Sequence, residues 1–147
     1  CAATEETFEN EPKPLAVFCT VATAKNLNAS RFSDVKIIAM PSLANDIESH
    51  IFYNDYVPEC LTKVYGEFKT VVLGCTHYSF LKEQFVMRFH PEKIIDGVDE
   101  AIKKSAFYLM GENCSDKPCG HDKVLFVGSG ARKTAQVYKM IINNEKT

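Results

Sequence analysis

The sequence lacks an excess of charge of either sign. Seventeen Lys and Arg stand against nineteen Asp and Glu, a formal net charge of −2. That balance leaves no electrostatic footprint for nucleic acid or for a membrane surface. Long apolar runs are missing as well. The longest, such as Pro14 to Ala24, contain polar members and fall short of the ~20 apolar residues a spanning helix needs. The first ten residues include glutamates but neither Lys nor Arg, so no secretory signal is expected there. Cysteine is sparse: six thiols are scattered along the chain without a frame, too few for a disulfide scaffold of this length. Cys19, Cys60 and Cys75 lie in or beside apolar segments, which suits reduced thiols in a cytoplasm. No internal repeat or low-complexity tract occurs. The opening residue is cysteine rather than methionine, so a processed product or a piece of a longer chain is expected.

What is present is a globular composition, 46% hydrophobic and 24% charged over 147 residues, about one ordinary domain. Leu15–Cys19 is a continuous apolar run of strand length bounded by turn residues, and Val35–Ala39 and Thr70–Gly74 read as a second and a third strand. Runs of that kind suit strands buried on both faces, as in a parallel sheet. Lys93–Asp96 and Val124–Val127 read as two further strands. Helices are expected over Thr4 to Asn10, Ala24 to Phe32, Pro58 to Tyr65, Phe80 to Phe89, Val98 to Met110 and Ala131 to Ile142. Another is expected after Ser42, a residue suited to capping, with Leu43, Ile47, His50 and Ile51 on one face. Strand, loop and helix in repeated alternation predict an α/β fold with a mainly parallel sheet.

In an open parallel sheet, ligands bind beyond the carboxyl ends of the strands. The residues to read there are Cys19-Thr20-Val21-Ala22-Thr23 and Gly74-Cys75-Thr76-His77-Tyr78. Both segments offer hydroxyls and backbone N–H groups near a helix start, an arrangement suited to a carboxylate. The second also sets a thiol two residues from an imidazole, the pairing that makes a nucleophilic or basic thiolate available at neutral pH. The plainer alternative is that Cys75 is a small buried hydrophobe and His77 a loop histidine.

The run Val72-Leu-Gly-Cys-Thr-His-Tyr-Ser-Phe-Leu81 resembles the signature around the second catalytic cysteine of the aspartate/glutamate racemase family, with Ser79 where that family usually has proline. Ala16-Val-Phe-Cys-Thr-Val-Ala-Thr-Ala-Lys25 is similar to the family's threonine-rich substrate loop. Pro41 followed by Glu48 resembles its segment ending in an acidic residue near the active site, and Ile94-Ile95-Asp96 and Val127-Gly128-Ser129-Gly130 fall where it has late strands. The resemblance implies a three-layer α/β sandwich. Residues 1–92 would form a racemase-like domain and residues 93–147 would complete the other domain. It implies racemisation without a cofactor or a metal: one thiolate removes the α-proton of glutamate and a thiol on the opposite face returns a proton. On that analogy Cys75 is one base, His77 assists it, and Glu48 orients a neighbouring catalytic group. Thr20, Thr23 and Thr76 would hold the substrate. The product, D-glutamate, would supply bacterial peptidoglycan. Aspartate or another amino acid is the rival substrate, and a catalytically inert carboxylate-binding or regulatory module is the rival outside enzymes.

Two family motifs are missing: an Asp-Ser-Gly with a catalytic acid and an Ala-Cys-Asn-Thr with the first catalytic cysteine. Cys1-Ala2-Ala3-Thr4 looks superficially like the latter but stands too close to Cys19. The chain is thus expected to hold one of two bases. An uncovered apolar face in the C-terminal segment would invite association with a second copy or with the missing N-terminal half. Cys114, Cys119 and His121 share a polar loop with Asp116 and Asp122, but the Cys-x4-Cys-x-His spacing is not a common zinc pattern even with Cys60 as a fourth ligand. A loop disulfide or plain surface residues are the alternatives. Gly128-Ser129-Gly130 lacks the full glycine fingerprint and the lysine of a phosphate-binding loop.

Overall fold

The computed structural model describes residues 5–50, 56–99, 101 and 102. Four strands form one sheet: β1 (Leu15–Cys19), β2 (Val35–Ala39), β3 (Thr70–Leu73) and β4 (Lys93–Asp96). Their order is β2-β1-β3-β4, and every pairing is parallel, with Leu15 opposite both Val35 and Thr70, and Thr70 opposite Lys93. The α/β class and the parallel sheet agree with expectation. β4 pairs with β3 across the 92/93 boundary expected between domains. The strand expected at Val124–Val127 and the helix at Ala131 to Ile142 lie outside the described residues.

Side-chain alternation divides the core into two. Ala16 and Phe18 of β1, with Val71 and Leu73 of β3, face α3 (Leu43–His50), α4 (Glu59–Thr62) and α5 (Lys82–Phe89) through Leu43, Ile47, Leu61, Phe85 and Phe89. Leu15, Val17 and Cys19, with Val72, face the other way, against Phe8 of α1 (Glu5–Asn10), Ala24 of α2 (Val21–Asn26), Leu27 and Phe32. Helices cover both faces, so the described residues form three layers. This explains why β1 and β3 are apolar at every position but Thr70: all five residues of β1 and all four of β3 are buried, including those that alternation would send to solvent in a one-sided sheet. Phe18 anchors the first layer, its ring 4.9 Å from that of Phe85 and 5.1 Å from that of Phe89.

Helix boundaries differ from the sequence reading in three places, each for a local reason. α2 begins at Val21, not Ala24, because the Thr20 hydroxyl accepts the Thr23 N–H (3.2 Å) and caps the helix early. It stops at Asn26, just before a turn in which Asn28 Oδ1 accepts the N–H and hydroxyl of Ser30. α4 is a single turn, Glu59–Thr62, in place of a helix from Pro58 to Tyr65. The helix expected from Phe80 starts at Lys82, since Thr76–Leu81 winds more tightly as a 3-10 helix. α3 follows the reading in part: the Ser42 carbonyl accepts its first bond, from Asp46 N–H at 2.9 Å, and Leu43 and Ile47 are buried, while His50 is only partly buried and Ile51 lies outside the described residues. Among the described residues no helix is long and apolar enough to cross a membrane.

Candidate active site at the carboxyl edge of the sheet

β2 lies on one side of β1 and β3 on the other, so the chain reverses its direction of travel across the sheet at β1. The segments leaving β1 and β3 therefore start side by side and part to opposite faces, the place at the carboxyl edge where open α/β sheets bind ligands. They are tightly joined at their base. Gly74 N–H donates to Phe18 O (2.8 Å) and Met40 N–H donates to Cys19 O (2.8 Å), so the ends of β1, β2 and β3 are tied together.

Cys75 precedes the 3-10 helix in extended conformation. Its Sγ lies 3.8 Å from Nδ1 of His77, and Nε2 of His77 lies 2.9 Å from Oε1 of Glu48, which is 29 residues distant in sequence. Thiol, imidazole and carboxylate thus form one line, supplied by the turn after β3 and by α3 on the same face. A carboxylate only accepts, so with Glu48 ionised Nε2 must carry a proton. The neutral ring then turns the Nδ1 lone pair toward the thiol, the orientation in which it can take the sulfur's proton and leave a thiolate–imidazolium pair. The His77 and Glu48 side chains are 36% and 56% exposed, so the line opens to solvent where a small molecule can reach it.

Tyr78 fixes the start of the turn. It is completely buried; its N–H donates to Cys75 O (3.0 Å) and its hydroxyl donates to Met40 O (3.3 Å). Burial, aided by the nearby thiols of Cys75, Cys19 and Cys60, pushes its phenol well above the ordinary tyrosine value. Nothing in the sequence pattern marked Tyr78 as the peg of this loop, because an aromatic after Cys-x-His reads equally well as an exposed contact residue.

Of the residues singled out from sequence, Cys75, His77 and Glu48 are brought into one contact line. Thr20 and Thr23 pair with each other across the first turn of α2, their hydroxyl oxygens 3.0 Å apart, on the adjacent segment. Thr76 is exposed at the start of the 3-10 helix. Cys19, the other thiol at this edge, is completely buried, and burial first, with Cys75 second, raises its pKa. A sulfur so placed holds its proton and does not meet a substrate. Cys60 is half-buried, and burial followed by the Asp46 charge raises its pKa too. No group of His, Cys, Asp and Glu suited to a metal ion occurs among the described residues. Cys1, Cys114, Cys119, His121 and Gly128-Ser129-Gly130 lie outside them.

Sequence reasoning passed over Asp96 and Ser79 as polar partners. Asp96 closes β4 and is only 5% exposed; its Oδ1 accepts the Ser79 hydroxyl (2.7 Å) and the Val98 N–H (2.9 Å). An acidic residue ending an apolar strand at the sheet's carboxyl edge was the signal available.

No family model matches the chain. It is similar to proteins named glutamate racemase. That of Leptospira interrogans serogroup Icterohaemorrhagiae serovar copenhageni is 29% identical over 149 residues, 95% of this chain and 54% of the relative. That of Carboxydothermus hydrogenoformans is 29% identical over 136 residues, 82% and 49% of the two chains, and that of Lactobacillus johnsonii 28% over 150 residues, 92% and 56%. The chain spans about half the length of the curated relatives it matches. Over most of its own length, therefore, the chain resembles glutamate racemases, as the motif around Cys75 implies.

Proposed function

We propose that the chain carries one catalytic half of an amino-acid racemase, an isomerase acting without a cofactor, with glutamate as substrate and D-glutamate for peptidoglycan and cell shape as its purpose in a bacterial cytoplasm. The observation that carries this reading is the Cys75–His77–Glu48 line at the carboxyl edge of the sheet, supported by similarity to glutamate racemases along 95% of the chain.

In this mechanism the Cys75 thiolate takes the α-proton. The C–H electron pair stays on the α-carbon and delocalises into the carboxylate, and a thiol on the opposite face returns a proton to the carbon, so atoms and charge balance. A single base returns its proton to the face it came from, so inversion needs a second acid. Buried Cys19 does not fit that part; it falls to a residue outside those described, to a second copy, or to an N-terminal half of the kind the longer relatives have. His77 receives the Cys75 proton when the thiolate forms, and Glu48 keeps the imidazole in the tautomer that can do so. The hydroxyls of Thr20, Thr23 and Thr76, with the N–H groups at the helix starts, would hold the substrate carboxylates.

Proton NMR of L- and D-glutamate with the chain in D2O tests the reading. Loss of the α-proton signal from one enantiomer without inversion is the expected result, abolished by Cys75→Ser. Exchange with racemisation would also support it and would place the second base within the chain or a second copy. Exchange that survives Cys75→Ser would refute the base assignment. No exchange with glutamate or aspartate would refute the catalytic reading in favour of a carboxylate-binding module, the alternative that the burial of Cys19 favours.

A further inference from the structure

The turn bearing His77 is held at Tyr78 and again at the next residue, Ser79. Ser79, two residues after His77, donates its hydroxyl to buried Asp96 at 2.7 Å. Lys82 Nζ, three residues further on, meets Asp99 Oδ2 at 2.6 Å. Both ties span 17 residues: two positions on the turn and two beyond β4 meet in register, i and i+3 against i and i+3. They differ in character. The Lys82 and Asp99 side chains are 36% and 48% exposed, so their pair has little hold. Asp96 is shut away from water, and its Oδ1 also receives the Val98 N–H. A buried carboxylate keeps its donors in place, because each lost donor leaves charge unsatisfied where water does not replace it.

The 3-10 helix needs such a hold. Its i to i+3 bonds are poorer than those of an α-helix, and Cys75 ahead of it supplies no side-chain cap. Tyr78 lies between His77 and the Ser79 tie, and the His77 ring must reach two partners at once, the thiol at 3.8 Å and Glu48 at 2.9 Å. Freed at Ser79, the turn can rotate about Tyr78 and carry the imidazole off that line.

We infer that Ser79 is a positioning residue which, through buried Asp96, clamps the 3-10 turn to the end of β4 and so preforms the Cys75–His77–Glu48 line. The inference rests on the base assignment proposed above, but its test needs no turnover. The test is the rate at which iodoacetamide alkylates Cys75 in the full chain at pH 7, read by peptide mass mapping so that the other cysteines are counted separately. Ser79→Ala is expected to slow Cys75 about threefold or more, the scale of one net hydrogen bond. Ser79→Thr, which keeps the hydroxyl, restores the rate. In a His77→Ala background Ser79→Ala adds nothing, since the clamp acts through the imidazole.

If His77→Ala slows alkylation and Ser79→Ala, folded by circular dichroism, does not, the clamp is refuted and the base assignment stands. If His77→Ala has no effect, both fall. A slowing that persists in the His77→Ala background would reduce Ser79 to general support of the loop and overturn the inference. Should Ser79→Ala fail to fold, Asp96→Asn keeps an acceptor oxygen at the same place without the charge. It is expected to lower the Cys75 rate while leaving Cys60 unchanged, and an unchanged Cys75 rate would overturn the clamp.

Discussion

Replacing Gly74 by alanine probes the joint between fold and site most directly. A Cβ on Gly74 would lie 2.9 Å from Cys19 Cβ and 3.0 Å from Phe18 O, where carbon contacts settle at about 3.5–4.0 Å. Neither neighbour is the loose end of a side chain: one is the root of a buried residue, the other a backbone carbonyl that already accepts the Gly74 N–H at 2.8 Å. The end of β3 must therefore move away from β1 by about half an ångström, weakening that bond. Overpacking of this kind costs about 1–3 kcal/mol. Alanine regains about 0.4–1 kcal/mol by restricting the unfolded chain, so a net loss on the order of 1–2 kcal/mol is expected. In urea, with m of about 1–3 kcal/mol/M, the midpoint should fall by on the order of 1 M. Cys75 is the next residue, so its alkylation rate should change in the same variant. An unchanged or raised midpoint would refute the reasoning, because it would mean that the two strand ends separate at no cost.

Stability should decline in alkali. Burial raises the pKa of both Cys19 and Tyr78, favouring their neutral forms in the fold. Their contribution is fully present below the ordinary values of about 8.5 and 10 and is lost as pH rises through the raised values of the folded state. Melting temperature measured from pH 7 to 11 should fall beyond about pH 8.5, and Tyr78→Phe should flatten the part above about pH 10. At neutral pH Tyr78→Phe loses the bond to Met40 O at a cost of about 0.5–1.5 kcal/mol, and a variant as alkali-sensitive as the parent would refute the role of the phenol. Thr20→Ala removes the cap of α2 and should destabilise by about 1 kcal/mol in urea, with Thr20→Ser close to the parent. Glu48→Gln should slow Cys75 alkylation by up to about fivefold, the ceiling for an exposed pair worth about 1 kcal/mol or less; an increase would show that Glu48 does not hold the imidazole tautomer.

Where the sequence was a good guide, the physics was local. Leu15–Cys19 is a continuous apolar run and Thr70–Leu73 is apolar after its first residue, and a run without alternation has few options other than a strand covered on both faces. Cys75 and His77 lie two residues apart just after such a strand, so their meeting needed only a turn. Helix limits were harder to read because one side chain decides them: the Thr20 hydroxyl moves the start of α2 by three residues. The tight winding after Cys75 has no periodic signature of its own.

By itself the sequence determined the class of fold, the strands and the loop that bears the thiol, because backbone pairing and burial act on runs of neighbouring residues. Only the tertiary structure decided which distant groups join that loop. Glu48 reaches His77 because α3 packs on the same face of the sheet as the turn after β3. Cys19 is withdrawn from chemistry because alternation along β1 sends it into the opposite, water-free layer. Ser79 finds Asp96 because β4 lies beside β3. Each of these depends on strand order and on the face a residue takes, which packing settles across the whole molecule and no short stretch of sequence records.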